Sequence, residues 1–283
     1  MKVLVIDIGG THIKIASTDH LVPIKVVSGP TMNAKKMVAD VLAATKDWEY
    51  DAISIGYPGP VTHDSPLAEP HNLASGWVGF PYQTAFPKPI RFINDAAMQA
   101  LGGYTGGKML FLGIGTGLGS ALIVDNLVVP LELAHLPYKK QRTYEEYIGL
   151  AGLQRLGKKE WRESVLDVVE RMRAAFIADY IVLGGGNAKL MKKLPENVLL
   201  GANSNAIAGG IALWHPPANP VSRSAPLIEA DSPVGPHATP LGRNNSAQKK
   251  KKDGKRGNKA HAAKPASRKS GARKSGKSRK KKR

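Results

Sequence analysis

Residues 3–6 form a continuous apolar run, and after a polar stretch holding Gly9 and Gly10 the pattern resumes as an alternation at 13–17. The same order recurs at 109–112 and 120–124, around Gly113, Gly115, Gly117 and Gly119. Each pair predicts two strands joined by a tight glycine turn, a β-hairpin, where a dinucleotide or Walker-type fold would place a helix. Between the hairpins, Met37, Val38, Val41 and Leu42 fall at helical spacing within 34–45. Residues 52–55 read as a buried strand running into Gly56-Tyr57-Pro58-Gly59-Pro60. A loop is expected from 61 to 86, then a strand at 90–93 that stops at Asn94-Asp95, where a helix opens over 96–101. Beyond the second hairpin come a loop with Glu132 and His135, helices at 144–156 and 161–176, and a strand at 179–183. That strand ends in Gly184-Gly185-Gly186-Asn187, followed by a short helix and a last helix at 206–214. Strands alternating with helices, in two halves that open alike, predict a duplicated α/β fold with a cleft between lobes 1–102 and 103–215.

Charge divides the 283-residue chain unevenly. Residues 216–283 carry 20 Lys/Arg against 3 Asp/Glu, whereas 1–215 carry 21 against 19, so most of the net +19 belongs to the tail. With almost no large apolar residue after Leu241, the tail cannot bury enough surface to offset chain entropy and is expected to be disordered. Within it, 243–283 hold 19 Lys/Arg and the single acidic Asp253. Such a run attracts polyanions such as polyphosphate or nucleic acid by counterion release; with no aromatic residue there, sequence-selective binding is not expected. The absence of cysteine excludes disulfides and thiolate metal sites. No apolar run approaches the roughly 18 residues that span a bilayer, and the N-terminus runs directly into a strand, so cytoplasmic residence is the expectation.

Glycine lets backbone N–H groups approach an anion closely, and Thr11 and Thr116 add hydroxyl donors. Two such turns facing one another would hold a phosphate chain from both sides, which points to a phosphoryl donor. Asp7, just before the first turn, is placed to orient a hydrated Mg²⁺ beside the phosphate, or else to cap the hairpin. Asn94-Asp95, at a strand end, is where a general base for phosphoryl transfer would stand; the competing reading is a helix N-cap. Glu132 and His135 offer an acceptor and a donor-acceptor to the hydroxyls of a polyol, while a metal site there lacks a third and fourth ligand. Gly184 to Asn187 gives a third place for backbone to approach a ligand.

Together these residues resemble the ROK sugar kinases of the actin-like, hexokinase-type ATPase superfamily, whose fold is a duplicated ribonuclease H-like unit, and most closely their polyphosphate glucokinase branch. Asp7-Ile8-Gly9-Gly10-Thr11 resembles the first phosphate motif, with Lys14 counted on the donor side; Gly113 to Gly119, with Gly115, Thr116 and Gly117 at its tip, resembles the second. Leu183 to Asn187, holding Gly184, Gly185 and Gly186, resembles the adenosine motif. Phe92 to Ala96 is similar to the segment whose Asp, here Asp95, is the catalytic base. Glu132-Leu133-Ala134-His135 resembles the Glu-x-Gly-His sugar loop. The resemblance implies that a hexose contacts Gly59, Asn94, Asp95, Glu132, His135 and a downstream Glu, either Glu145, which aligning Tyr147 with the family's aromatic favours, or Glu146. It further implies Mg²⁺, a donor that is ATP or polyphosphate, transfer to the 6-hydroxyl of glucose or a related hexose, and a possible homodimer. Three departures stand out: the Cys ligands of the zinc found in many members are missing, Ala134 replaces the loop glycine, and the basic tail is not a general family feature. The alternative is a catalytically silent sugar- or nucleotide-binding regulator of the same family.

Overall fold

The computed structural model describes residues 1–202 and 204–215; the expected disordered tail, 216–283, lies outside them. The first sheet contains β1 (Val3–Ile8), β2 (His12–Ser17), β3 (Ile24–Val27), β4 (Ala52–Tyr57) and, after the two-stranded β5 (Val61–Thr62) and β6 (Ser65–Pro66), β7 (Ile90–Asn94). Its order is β3-β2-β1-β4-β7, antiparallel across β3-β2-β1 and parallel across β1-β4-β7. The second contains β8 (Lys108–Ile114), β9 (Leu118–Val124), β10 (Leu127–Leu131), β11 (Tyr180–Gly184) and β12 (Val198–Leu200), in the order β10-β9-β8-β11-β12. Its pairing senses repeat those of the first strand for strand. The fold is thus a duplicated α/β architecture, two five-stranded sheets of like order and pairing.

Burial explains the layering. Strand β1 is buried at every residue, as a central strand covered on both faces must be. One face meets α1 (Ala34–Ala44) through Met37, Val38 and Val41, together with Tyr57, Trp77 and Phe92. The second sheet's outer face meets α4 (Tyr144–Ile148) and α5 (Leu150–Phe176) through Tyr147, Trp161, Val165, Val168 and Met172. Between the sheets lies a third core in which α3 (Asp95–Gly102) and α6 (Asn205–Ala212) cross among Val3, Val5, Met109, Phe111 and Ile123. Small residues make that crossing possible: a Cβ on Gly102 would collide with the Asn205 carbonyl, and one on Gly209 with that of Met98. The C-terminal end of α6 is tied to the first sheet, where Ser54 donates to the Gly210 carbonyl (2.6 Å) and Arg91 to that of Leu213 (2.7 Å).

Three strands were not legible in the pattern. β3, β10 and β12 lie in the outer parts of the sheets with mostly exposed side chains, so no periodic burial marks them; hydrogen bonds to a neighbour make them strands. The expected gap at 157–160 is a single kink at Gly157 (φ 72°, ψ 166°) inside α5, and the short helix after Asn187 is one 3₁₀ turn, Ala188–Leu190. Within the expected 61–86 loop stand β5, β6 and the short α2 (Tyr82–Ala85).

Candidate active site

Parallel pairing brings the ends of β1, β4 and β7 to one edge of the first sheet. Asp7 lies opposite Gly56, and the next residue, Tyr57, lies opposite Asn94. Asn94 both caps α3 and spans to the next loop: its Oδ1 accepts the Ala97 N–H (3.1 Å), and its Nδ2 donates to the Gly59 carbonyl (3.2 Å). The capping role therefore falls to Asn94, and Asp95, the first residue of α3, keeps only its own neighbour, the Ala96 N–H (2.8 Å). Asp95 retains some solvent contact, yet its carboxyl is pushed up to about 7 by desolvation first, then by the charges of Asp7 and Glu132; the Ala96 N–H and the Lys14 ammonium oppose the shift. Those influences place residues from four segments around one carboxyl. A Cβ on Gly119, at the start of the second hairpin's return strand, would press on Ala96, so the head of α3 touches both lobes.

Asp7 is almost fully buried and its Oδ2 is ion-paired to the Lys14 ammonium at 2.7 Å, on the facing strand of the first hairpin. Gly9 closes that hairpin onto the His12 carbonyl, while Gly10 and Thr11 are exposed at its tip, beside Asn72. The second turn is held from three sides. Asn187 donates from its backbone to Ile114 (3.0 Å) and from Nδ2 to Gly115 (2.8 Å), Leu150 N–H donates to Thr116 (3.1 Å), and Glu145 accepts the Leu118 N–H (3.0 Å). Gly117 lies against that carboxylate so closely that a Cβ would collide with it. Gly185, at φ 81°, packs on the Ile114 backbone, whereas Gly186 faces open space. The adenosine-like turn and the second phosphate-like turn are thus one unit.

Glu132 and His135 are exposed, and the His135 ring stands edge-on to His71 of the first lobe with centroids 6.2 Å apart. Ala134 is buried and accepts the Glu145 N–H (3.0 Å), linking the two sugar-loop ends. It is not in a left-handed conformation, so the methyl that replaces glycine brings no backbone strain. Glu146 forms a capping box with Thr143 and pairs with Arg142, which leaves Glu145 as the carboxylate facing the second turn. Sequence reasoning missed Tyr138 and Asp167. Tyr138 stacks on Tyr144, packs edge-on to Tyr147 and donates to Asp167, clamping the segment that separates His135 from Glu145. Arg171, Tyr138 and Lys139 hold the Asp167 carboxyl well below the usual range. Only the unusual density of tyrosine at 138–147 hints at this clamp.

Among the described residues no three His, Asp or Glu side chains converge into a preformed metal cage. Mg²⁺ does not require one, since it is commonly held by one or two carboxylates together with phosphate oxygens and water. Asp7, with Oδ2 on Lys14 and Oδ1 uncommitted among the described residues, has the hard oxygen chemistry that such an ion needs.

The sequence profile of the ROK family matches residues 3–129. N-acetylmannosamine kinase from Vibrio vulnificus (strain CMCP6) is 30% identical over 147 residues, which cover 44% of this chain and 48% of that protein. The chain thus spans about half the length of the curated relatives it matches. Among solved structures, the inorganic polyphosphate/ATP-glucomannokinase from Arthrobacter sp. strain KM superimposes with a TM-score of 0.64 at 24% identity, covering 76% of this chain and 99% of that one. The ROK family glucokinase from Streptomyces griseus, in complex with glucose and AMPPNP, gives 0.59 at 17% identity, covering 75% and 99%. Residues 3–129 are therefore similar to the ROK family, and the described residues share the fold of these solved kinases.

Proposed function

We propose that the protein is a sugar kinase that moves the terminal phosphoryl group of ATP or polyphosphate to the 6-hydroxyl of glucose or a related hexose. The observation that carries this reading is Asp95 at the head of α3, which packs against the second hairpin, with its carboxyl pushed up to about 7 by burial, by Asp7 of the first hairpin and by Glu132. A base with an affinity for protons near the working pH serves proton removal best. The relatives' own names, N-acetylmannosamine kinase, glucokinase and polyphosphate/ATP-glucomannokinase, support the same class.

In this mechanism the hexose is held by Asn94, Asp95, Glu132, His135 and Glu145, with the Gly59 turn at its border. Asn94 is already oriented by its bonds to Gly59 and Ala97. Asp95 takes the proton of the 6-hydroxyl as that oxygen bonds to the terminal phosphorus and the bond to the remaining phosphate chain breaks. The tips of the two turns, Gly10-Thr11 and Thr116-Gly117, with Lys14, face the donor's negative charge, while the N–H groups of Gly9 and Gly115 hold the turns in shape by donating to His12 and Gly117. Gly184 to Asn187 receive the adenosine when ATP is the donor. A magnesium ion held by Asp7 and phosphate oxygens would supply further charge neutralisation. The basic tail is a polyanion-binding appendage in this reading.

Asp95→Asn tests it. Transfer should fall by about 10²–10⁴-fold while sugar binding, followed by calorimetry, weakens but persists. Near-normal turnover in this variant would remove Asp95 from the reaction, and absence of turnover in the unaltered protein, with every donor and hexose tried, would favour a silent sugar-binding regulator.

A further inference from the structure

We propose that His71, on the loop between β6 and α2, is a further hexose-contacting residue that closes the sugar site from the first lobe, opposite His135. The proposal rests on the kinase reading and adds a residue to its acceptor side. The two rings stand edge-on, with centroids 6.2 Å apart and planes at 70°. That separation is too wide for the rings to hydrogen-bond each other, yet an oxygen about 2.8 Å from a nitrogen of each fits between them. The ring nitrogens of His12 and His63 are hydrogen-bonded to Thr11 and Thr62, whereas those of His71 and His135 have no such partner among the described residues. A neutral imidazole donates from one nitrogen and accepts at the other, which suits a sugar hydroxyl, itself both donor and acceptor. A metal ion fits less well, since no third His, Asp or Glu side chain joins the two rings among the described residues.

The loop that carries His71 is fastened at several points. Tyr57, opposite Asn94 in the sheet, donates to the Ala68 carbonyl (2.8 Å), and the Ala74 N–H donates to the Met32 carbonyl (2.9 Å). Glu69 closes the loop on itself, its carboxylate accepting the N–H groups of Trp77 (3.1 Å) and Val78 (3.1 Å). Bonds to an ionised acceptor are stronger than neutral ones. Trp77 is fully buried, with its Nε1 donating to the Ala74 carbonyl (2.7 Å). Between these ties Pro70 is buried and Leu73 packs against the first lobe's core, so that only His71 and Asn72 of residues 70–73 are exposed. Asn72 lies beside Gly10 of the first glycine turn, while its neighbour His71 meets the sugar loop. Adjacent residues of one fastened loop thus border the donor turn and the acceptor loop. In this arrangement Glu69 is a positioning residue, and His71 makes the contact.

The test compares the full chain with its variants His71→Ala, His71→Gln and Glu69→Gln. KM is measured for glucose and mannose at saturating donor and for the donor at saturating hexose, and the Kd of each hexose is measured by calorimetry without donor. His71→Ala should raise the hexose KM and Kd together by on the order of tenfold, with donor KM and melting temperature unchanged. His71→Gln, which keeps a donor and an acceptor, should recover part of that loss, and Glu69→Gln should shift hexose KM in the same direction by a smaller factor. Unchanged hexose affinity in His71→Ala, or a rise confined to donor KM, would overturn the proposal. Equal rises in hexose and donor KM would reduce His71 to a structural role and overturn it as well. If the unaltered protein binds hexose but transfers nothing from ATP or polyphosphate, the kinase reading fails while the calorimetric comparison still decides the contact; binding of neither hexose would defeat both.

Discussion

Asp95 is governed by a balance of near neighbours, and the sign of each is readable. Burial raises its proton affinity most, Asp7 and Glu132 raise it further, and the Ala96 N–H and Lys14 lower it. With the carboxyl at about 7, the base form is lost as pH falls below that value, so kcat/KM should drop by about tenfold per pH unit on the acid limb. Lys14→Ala removes the opposing charge and frees Asp7 from its partner, so the acid limb should move to higher pH. A pH-rate profile of that variant checks the direction; an unshifted or lowered limb would mean that Asp95 does not limit the profile. At this scale the sequence was informative about chemistry and mute about environment. Asn94-Asp95 advertised both a cap and a base, and only the coordinates give the cap to Asn94, which takes the Ala97 N–H while Asp95 does not. Likewise Glu145 and Glu146 are adjacent and chemically identical; the capping box that occupies Glu146 depends on where the helix starts.

Among the elements, α3 has the most demanding position. Its N-terminus presents Asp95, while its C-terminal turn meets α6 so closely that Gly102 and Gly209 admit no side chain. Gly209→Ala should cost about 1–3 kcal/mol through overpacking against Met98, seen as a lower melting temperature by calorimetry. Activity should fall beyond the loss of folded protein, because displacing α3 displaces the base. Gly186→Ala provides the contrast: that Cβ meets open space, so the melting temperature should hold even where the apparent affinity for ATP responds. Equal melting temperatures for the two variants would refute the account of the crossing. The hairpins and central strands were legible because burial on both faces writes long apolar runs, as in β1 and β4. Strands such as β10 were not, because most of its side chains are exposed and only Val128 and Leu131 pack inward, too few to write a period. The clamp from Tyr138 to Asp167 was also invisible, for it joins residues 29 apart through a contact that no local pattern encodes.

The whole molecule combines a nearly neutral folded part with a tail that holds most of the charge. Deleting 216–283 should abolish the steep salt dependence of RNA binding, measured by anisotropy with a labelled oligonucleotide, while hexose phosphorylation by the donor used in the assay continues. Unchanged binding after deletion would locate the polyanion site in the folded part instead. No helix among the described residues is long and apolar enough to cross a membrane. The doubled topology itself was the feature that the sequence displayed best, since two hairpins of the same order announced two sheets of the same order.

α3 and α6 fill the layer between those sheets, and that arrangement constrains how the two jaws can close. Because Gly102 and Gly209 already stand at the limit of close approach, any bulk added to this layer would be felt at both sheets, and so at both glycine turns, at once.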